Sequence, residues 1–164
     1  MTRIQPVRGT HDIYGIDLEK FNIIEKKIKI SANSFGFDEI ITPIFESSDL
    51  FSKPLGEKSD VVLKEMYTFN DRNNSSLTLR PEYTAPIIRA AISNNLLNNL
   101  PAKVFGIGPM FRRERPQKGR FREFYQMNFE IFGTNNTLAD AELILLASSI
   151  LKNILPNQKF KLHI

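Results

Sequence analysis

Residues 104–132 restrict the fold of this chain more than any other stretch. Apolar and polar side chains alternate along two runs, about 104–113 and 122–132, separated by a basic segment carrying Pro116 and Gly119. Alternation with period 2 is the signature of strands, and proline and glycine between them mark a turn. The pattern predicts a two-stranded ribbon with a charged tip. On one face stand Phe105, Ile107, Pro109 and Phe111 with Tyr125, Met127, Phe129 and Ile131; this side is expected to face a core. On the other stand Gly106, Gly108, Met110, Arg112 and Glu114 with Arg122, Phe124, Gln126, Asn128 and Glu130. A face that mixes cations, carboxylates, an amide and a ring with two glycines suits an anionic ligand with an aromatic part, because glycine lets another group approach the backbone. An ordinary hairpin with one solvated side is the alternative reading of alternation alone.

Charge adds to the first reading. Residues 112–123 hold six cations and two anions, a net of +4, which equals the net charge of the whole chain. Basic character is therefore local, and a local run rich in arginine suits phosphate or nucleic acid.

The remaining pattern supplies a scaffold. Leu18, Phe21, Ile24, Ile28, Ala32 and Phe35 recur at helical spacing, predicting a helix over about 18–35, with Asp17 as its N-cap and Gly36 just past its end. Ile23 and Ile30 lie off that stripe, either as scattered surface residues or as a second contact face for a partner subunit. A strand over 37–45 must end or lie at an edge because of Pro43. A short helix is expected over 47–52, a loop over 53–64, and a hairpin from 65–69 and 76–79 joined by a polar turn. Thr84 is a candidate N-cap for a helix running to about Leu97, with Pro86 in its first turn. Thr137 is a candidate cap for a helix over 138–155, apolar on most sides and so expected to be deeply buried. Residues 159–164 read as the start of a further strand. Near the N-terminus, residues 8–12 have turn chemistry, and His11 reads as a surface or hydrogen-bonded residue rather than a catalytic one.

Several classes of function are disfavoured. The chain has no cysteine, and its two histidines, His11 and His163, are far apart, so a metal site built from protein ligands alone is not expected. No apolar run reaches the ~18 residues of a membrane-spanning helix, and the N-terminus lacks a secretory pattern. A cytoplasmic, single-domain protein is the expected setting.

These residues resemble a known family. Phe111-Arg112-Arg113-Glu114, a basic loop, then Phe124 and Glu130 look like motif 2 of class II aminoacyl-tRNA synthetases, and Gly36-Phe37 followed by Pro43 resembles motif 1. The stretches 60–62, 64–69, 77–82, 108–112, 114–120 and 140–143 together are similar to histidyl-tRNA synthetases. The resemblance implies an α+β fold, a mostly antiparallel sheet flanked by helices, with motif 1 at about 18–45 and motif 2 at about 104–132. Motif 3, the histidine-specific segments and the anticodon-binding domain would lie beyond residue 164, so the chain is expected to be the N-terminal part of a catalytic domain with little aminoacylation of its own.

The resemblance also implies roles. The family activates L-histidine with ATP, Mg²⁺ arriving with the nucleotide, and passes the histidyl group to the 3′ end of tRNA(His), as a homodimer built on motif 1. Arg112 would be catalytic, holding the α-phosphate. Glu114 and Phe124 would complete the ATP site, the ring stacking on adenine. Glu82, Thr84, Gln126 and Glu130 would hold histidine. Arg115, Gln117, Lys118 and Arg120 would meet the tRNA acceptor end. For Glu82 a plain helix-terminal carboxylate is the alternative. Tyr83, Tyr125 and Asn128 depart from common versions of the family and leave the detail of the histidine pocket open. Two other functions fit the same resemblance: a synthetase paralogue serving as regulatory subunit of ATP phosphoribosyltransferase, and a dimerisation or nucleic-acid-binding fragment without chemistry.

Overall fold

A computed structural model describes residues 3–55 and 65–163. The sequence-predicted loop at 53–64 falls largely outside the described residues; its first three residues close a helix instead.

Helix α1 spans Gly15–Ser34. It starts before Asp17, which therefore sits in the first turn, paired with Lys20 at 3.1 Å, rather than capping the helix; Tyr14 occupies the cap position without a side-chain bond. The end follows expectation. Gly36 takes φ +75°, its N–H bonds the carbonyl of Asn33, and Phe37 N–H bonds that of Ala32. These two bonds form the Schellman stop that glycine permits. The predicted strand over 37–45 is split into β1 (Asp38–Glu39) and β2 (Phe45–Ser47), with Pro43 in the gap, where a missing N–H does no harm. Helix α2 covers Asp49–Leu55.

Strands β3 (Tyr67–Asn70) and β4 (Ser76–Leu79) form the predicted hairpin. Its turn closes with Asn74 at φ 65°, a conformation asparagine tolerates. Helix α3 (Thr84–Ser93) starts with Thr84 as its first residue, so Tyr83 is the cap instead. It ends four residues before the predicted Leu97: Asn94 returns both its backbone N–H and its Nδ2 to the Ala90 carbonyl, and Asn95 turns left-handed at φ 57°. The ribbon strands are β5 (Ala102–Phe111) and β6 (Glu123–Phe132). Helix α4 (Thr137–Ile154) is capped by Asn136, whose Oδ1 accepts from Leu138 N–H, and not by Thr137.

Two three-stranded sheets result, ordered β1-β5-β6 and β2-β4-β3, with β1 parallel to β5 and both outer strands of the second sheet antiparallel to β4. The chain divides into two compact units. Unit 1 comprises Met1–Asp12, Ile40–Leu96 and Gly106–Asn128; unit 2 comprises Ile13–Glu39, Leu97–Phe105 and Phe129–Ile164. In unit 1 the buried side chains include Phe51, Tyr83, Ile87 and Met110. In unit 2 Phe129 packs edge-on to Phe37 at 5.5 Å and stacks on Phe105 at 5.7 Å. There α1 meets α4 through Lys27 Nζ donating to the Asn153 carbonyl and Asn153 Nδ2 donating to Ser31 Oγ.

Beyond these caps and ends, three further expectations fail. Helix α4 is not deeply buried: Leu146 and Ile150 are, but Leu138 and Leu145 stand 71% and 62% exposed, because α1 covers one face only. Residues 159–163 form no strand, as no neighbouring strand offers them a ladder among the described residues. The third concerns the ribbon faces. Gly106, Gly108 and Met110 are buried, whereas Tyr125 and Met127, assigned to the core side, are exposed. The glycines do admit close neighbours, but those neighbours belong to the same chain.

Candidate active site

Unit 1 assembles its polar residues around the junction 80–84, which runs from β4 into α3. Arg80 is 2% exposed. Its Nε donates to the Pro109 carbonyl at 2.9 Å, and its Nη1 donates to the Thr42 carbonyl at 2.9 Å and to Thr42 Oγ1 at 3.2 Å. One buried guanidinium thus fixes the segment before β2 to strand β5. Its carbon lies 4.4 Å from the centre of the Tyr83 ring, within cation–π range. Tyr83 is fully buried over Gly106, and a Cβ at Gly106 would overlap its ring; at Gly108 a Cβ would overlap Arg80 Nη2. Glycine is required at both positions by close approach.

The same junction sets Arg112. Its Nε donates to the Pro81 carbonyl at 2.8 Å, and Phe111 N–H bonds the Arg80 carbonyl at 2.9 Å, so the junction lies along the end of β5. The Arg112 guanidinium sits 5.2 Å from the centre of the Phe124 ring. Its Nη1 is 3.9 Å from Glu114 Oε1, while Arg120 Nη1 is 3.4 Å from Glu114 Oε2. Glu114 holds two arginines that would otherwise repel. Around them lies a cavity of about 400 Å³ lined by Arg112, Glu114, Arg120, Phe121, Phe124 and Tyr125, among others. Two cations, one carboxylate and three rings suit a polyanion with a flat aromatic group. The structure therefore brings together the three residues expected at an ATP site.

The four residues expected to hold histidine are arranged differently. The Glu82 carboxylate accepts from Thr84 N–H at 2.6 Å and Ala85 N–H at 3.0 Å. It caps α3, as the alternative reading of this residue held. Thr84 Oγ1 accepts from Asn128 Nδ2 at 3.1 Å. Glu82 and Thr84 line a second cavity of about 570 Å³ with Leu50, Ile88, Arg89 and Ile92. Gln126 is not among its lining residues; its Oε1 is buried and has no hydrogen-bond partner among the described residues. Glu130 lies on the part of β6 that belongs to unit 2.

The basic tip is solvent-exposed at Arg115, Gln117, Lys118 and Arg120. It closes on itself through Gln117 N–H to the Arg120 carbonyl and Arg120 N–H to that of Gln117. Sequence reasoning missed Arg80, the burial of Tyr83, and the contacts of residues 9 and 11 with the tip. The only signal was the pair of glycines on the polar face, which announces a close neighbour without naming it.

A mixed sheet that carries the motif-bearing strands β5 and β6, with flanking helices, is the architecture of the class II aminoacyl-tRNA synthetase catalytic domain. The family model described as Histidyl-tRNA synthetase matches residues 9–164, and the chain belongs to that family. It is 54% identical over 151 residues to the histidine–tRNA ligase of Rhodospirillum rubrum, covering 92% of this chain and 36% of the relative. Among solved structures, apo histidyl-tRNA synthetase of S. aureus matches with a TM-score of 0.77 and 36% identity, over 92% of this chain and 34% of that one. A Bacillus halodurans protein described as an ATP phosphoribosyltransferase regulatory subunit/histidyl-tRNA synthetase matches with a TM-score of 0.79 and 25% identity, over 94% and 38%. The chain thus spans just over a third of the length of the curated relatives it matches.

Proposed function

We propose that this chain forms the part of a cytoplasmic histidine–tRNA ligase that binds ATP and presents it to histidine and to the tRNA end. The carrying observation is the cavity in which Arg112, Glu114 and Phe124 converge. In the reaction a carboxylate oxygen of histidine attacks the α-phosphorus of ATP. The bond to the β-phosphate oxygen breaks, and pyrophosphate leaves with Mg²⁺, which enters as part of the nucleotide substrate. A ribose hydroxyl of the tRNA 3′ end then attacks the histidyl carbonyl, giving up its proton, and AMP departs.

The protein's task in both steps is to place reactants and balance charge. Arg112, pinned by the Pro81 carbonyl, offers its remaining guanidinium N–H groups to the α-phosphate. Phe124 stacks on adenine. Glu114, which lies between Arg112 and Arg120, contacts the adenine end. Thr84 and Gln126, with Glu82 where its carboxylate is not committed to α3, hold histidine. Arg115, Gln117, Lys118 and Arg120 meet the acceptor end. A homodimer built on motif 1 completes the reading.

Calorimetry of ATP binding to wild type and Arg112→Ala tests the phosphate assignment. Loss of a charge-assisted contact predicts roughly a ten-fold or greater fall in affinity. Unchanged affinity would count against it.

The likeness to the Bacillus halodurans protein favours a second reading, a regulatory subunit of ATP phosphoribosyltransferase. A regulator has no need of an acceptor-end loop. Failure of the chain to bind tRNA while it associates with that enzyme would favour the second reading.

A further inference from the structure

Residues 7–11 form a strap that docks on the basic tip, and nothing in the reading above uses them. Thr10 closes the strap into a turn: its N–H and its Oγ1 both donate to the Val7 carbonyl, at 2.9 and 2.8 Å. Gly9, at φ +91°, presents its carbonyl to Arg122 N–H at 2.7 Å. The fit is close, since a Cβ at Gly9 would lie 2.8 Å from Arg122 Cγ and 2.9 Å from Pro116 Cγ. The strap therefore holds both ends of the tip. Two residues on, His11 places its ring 4.9 Å from that of Phe121, tilted by 46°. Both rings are exposed, Phe121 at 43%. Phe121 also lines the cavity that holds Arg112 and Phe124.

The pair sits at the foot of a cationic loop and at the cavity that holds Arg112 and Phe124. Flat rings beside cations are how proteins take unpaired bases: the cations follow the backbone and the rings stack on the bases. We propose that His11 and Phe121 form a stacking platform for a base in the single-stranded 3′ end of the tRNA, fixed by the Gly9 strap at the mouth of the ATP cavity. This inference rests on the acceptor-end reading of the tip. It adds two contacts, and it gives the strap a purpose: to keep the platform in register with the loop cations.

The test is RNA binding by the 164-residue chain, measured by fluorescence anisotropy with a labelled acceptor-stem hairpin ending in its single-stranded 3′ tail. A blunt hairpin lacking the tail serves as comparison, and each is titrated at several salt concentrations. His11 and Phe121 are exposed, so their substitutions leave the fold intact. His11→Ala and Phe121→Ala should each weaken binding of the tailed hairpin by about five-fold or more. Neither should change binding of the blunt hairpin, and neither should alter the salt slope, because stacking releases no counterions. Lys118→Ala should instead lower the salt slope by about one. His11→Tyr, which keeps a ring, should restore binding of the tailed form. Equal affinity of wild type and His11→Ala for the tailed hairpin would overturn the platform while leaving the tip as an RNA contact. Absence of binding to either hairpin by wild type would remove the acceptor-end reading itself, and the platform with it.

Discussion

Tyr83 and Arg80 decide the shape of the site face at the scale of single residues. Tyr83 can lie flat on β5 only because position 106 has no side chain, and Arg80 can reach the Thr42 and Pro109 carbonyls only because position 108 has none. Gly106→Ala forces the ring away from the strand, and overpacking of this kind costs about 1–3 kcal/mol. Tyr83→Ala alone opens a hole and costs about 3–5 kcal/mol. In the double variant the new methyl group enters the space the ring has left. Urea unfolding of the four proteins should therefore give a double mutant less destabilised than the sum of the two, by about 0.5–3 kcal/mol. Strict additivity would mean that the ring and the glycine do not share space. The sequence made the glycines conspicuous, since alternation placed them on one face. It could not say that residues some 25 positions earlier would fill the space. Arg112, Glu114 and Phe124 were legible for the opposite reason: they lie within one short stretch of sequence, 112–124, and the family resemblance of that stretch carried all three. Glu82 was legible only as a pair of alternatives, and the two N–H groups it accepts favour the cap.

Elements were legible where a local rule set them and illegible where a neighbour did. The stop of α1 at Gly36 and the β3–β4 turn are short-range events, decided by φ and by a few hydrogen bonds. Burial of α4 and pairing of residues 159–163 depend on what lies alongside, which periodicity does not encode. The tie between α1 and β1 is a case where neighbours create a measurable property. Lys29 Nζ sits 2.7 Å from Glu39 Oε1 and 2.9 Å from Glu25 Oε1. The Glu39 carboxylate first, and Glu25 second, hold the ammonium above its ordinary value of 10.5. A pKa raised by folding means that the charged form favours the folded state. The added stability is complete below the ordinary value and fades as pH climbs through the raised one. Urea midpoints of wild type should thus fall relative to those of Lys29→Met as pH rises above the ordinary value of 10.5, and the two should track each other from about pH 7 to 9. A constant difference across the alkaline range would show that the lysine acts through its aliphatic stem alone.

At the scale of the whole chain, two kinds of surface separate. Net positive charge is confined to residues 112–123 of unit 1, and the remaining residues balance to zero. In unit 2, α1 instead leaves Ile16, Ile23 and Ile30 exposed at 63%, 56% and 59%. Seven-residue spacing puts these three on one face of the helix, and α4 exposes Leu138 and Leu145 in the same unit. A polar ligand site needs no apolar surface of this extent, and rows of large apolar residues on a helix call for a partner. The homodimer proposed above gives this face a use, with α1 of one copy against the equivalent surface of another, as a two-fold contact requires. Sedimentation of the chain should show dimer at high micromolar concentration. Ile23→Glu and Ile30→Glu would each bury an unpaired carboxylate there, a cost of several kcal/mol. With about 1.4 kcal/mol per factor of ten, each substitution should weaken association by about 100-fold or more. Because both residues are exposed in the single chain, the helical content of the variants should not change. Leu138→Glu on α4 separates two geometries: if only α1 meets its counterpart, this variant dimerises like wild type, whereas equal loss in all three would place both helices in the contact. A wild-type chain that remains monomeric throughout would rule out α1 as a self-association surface.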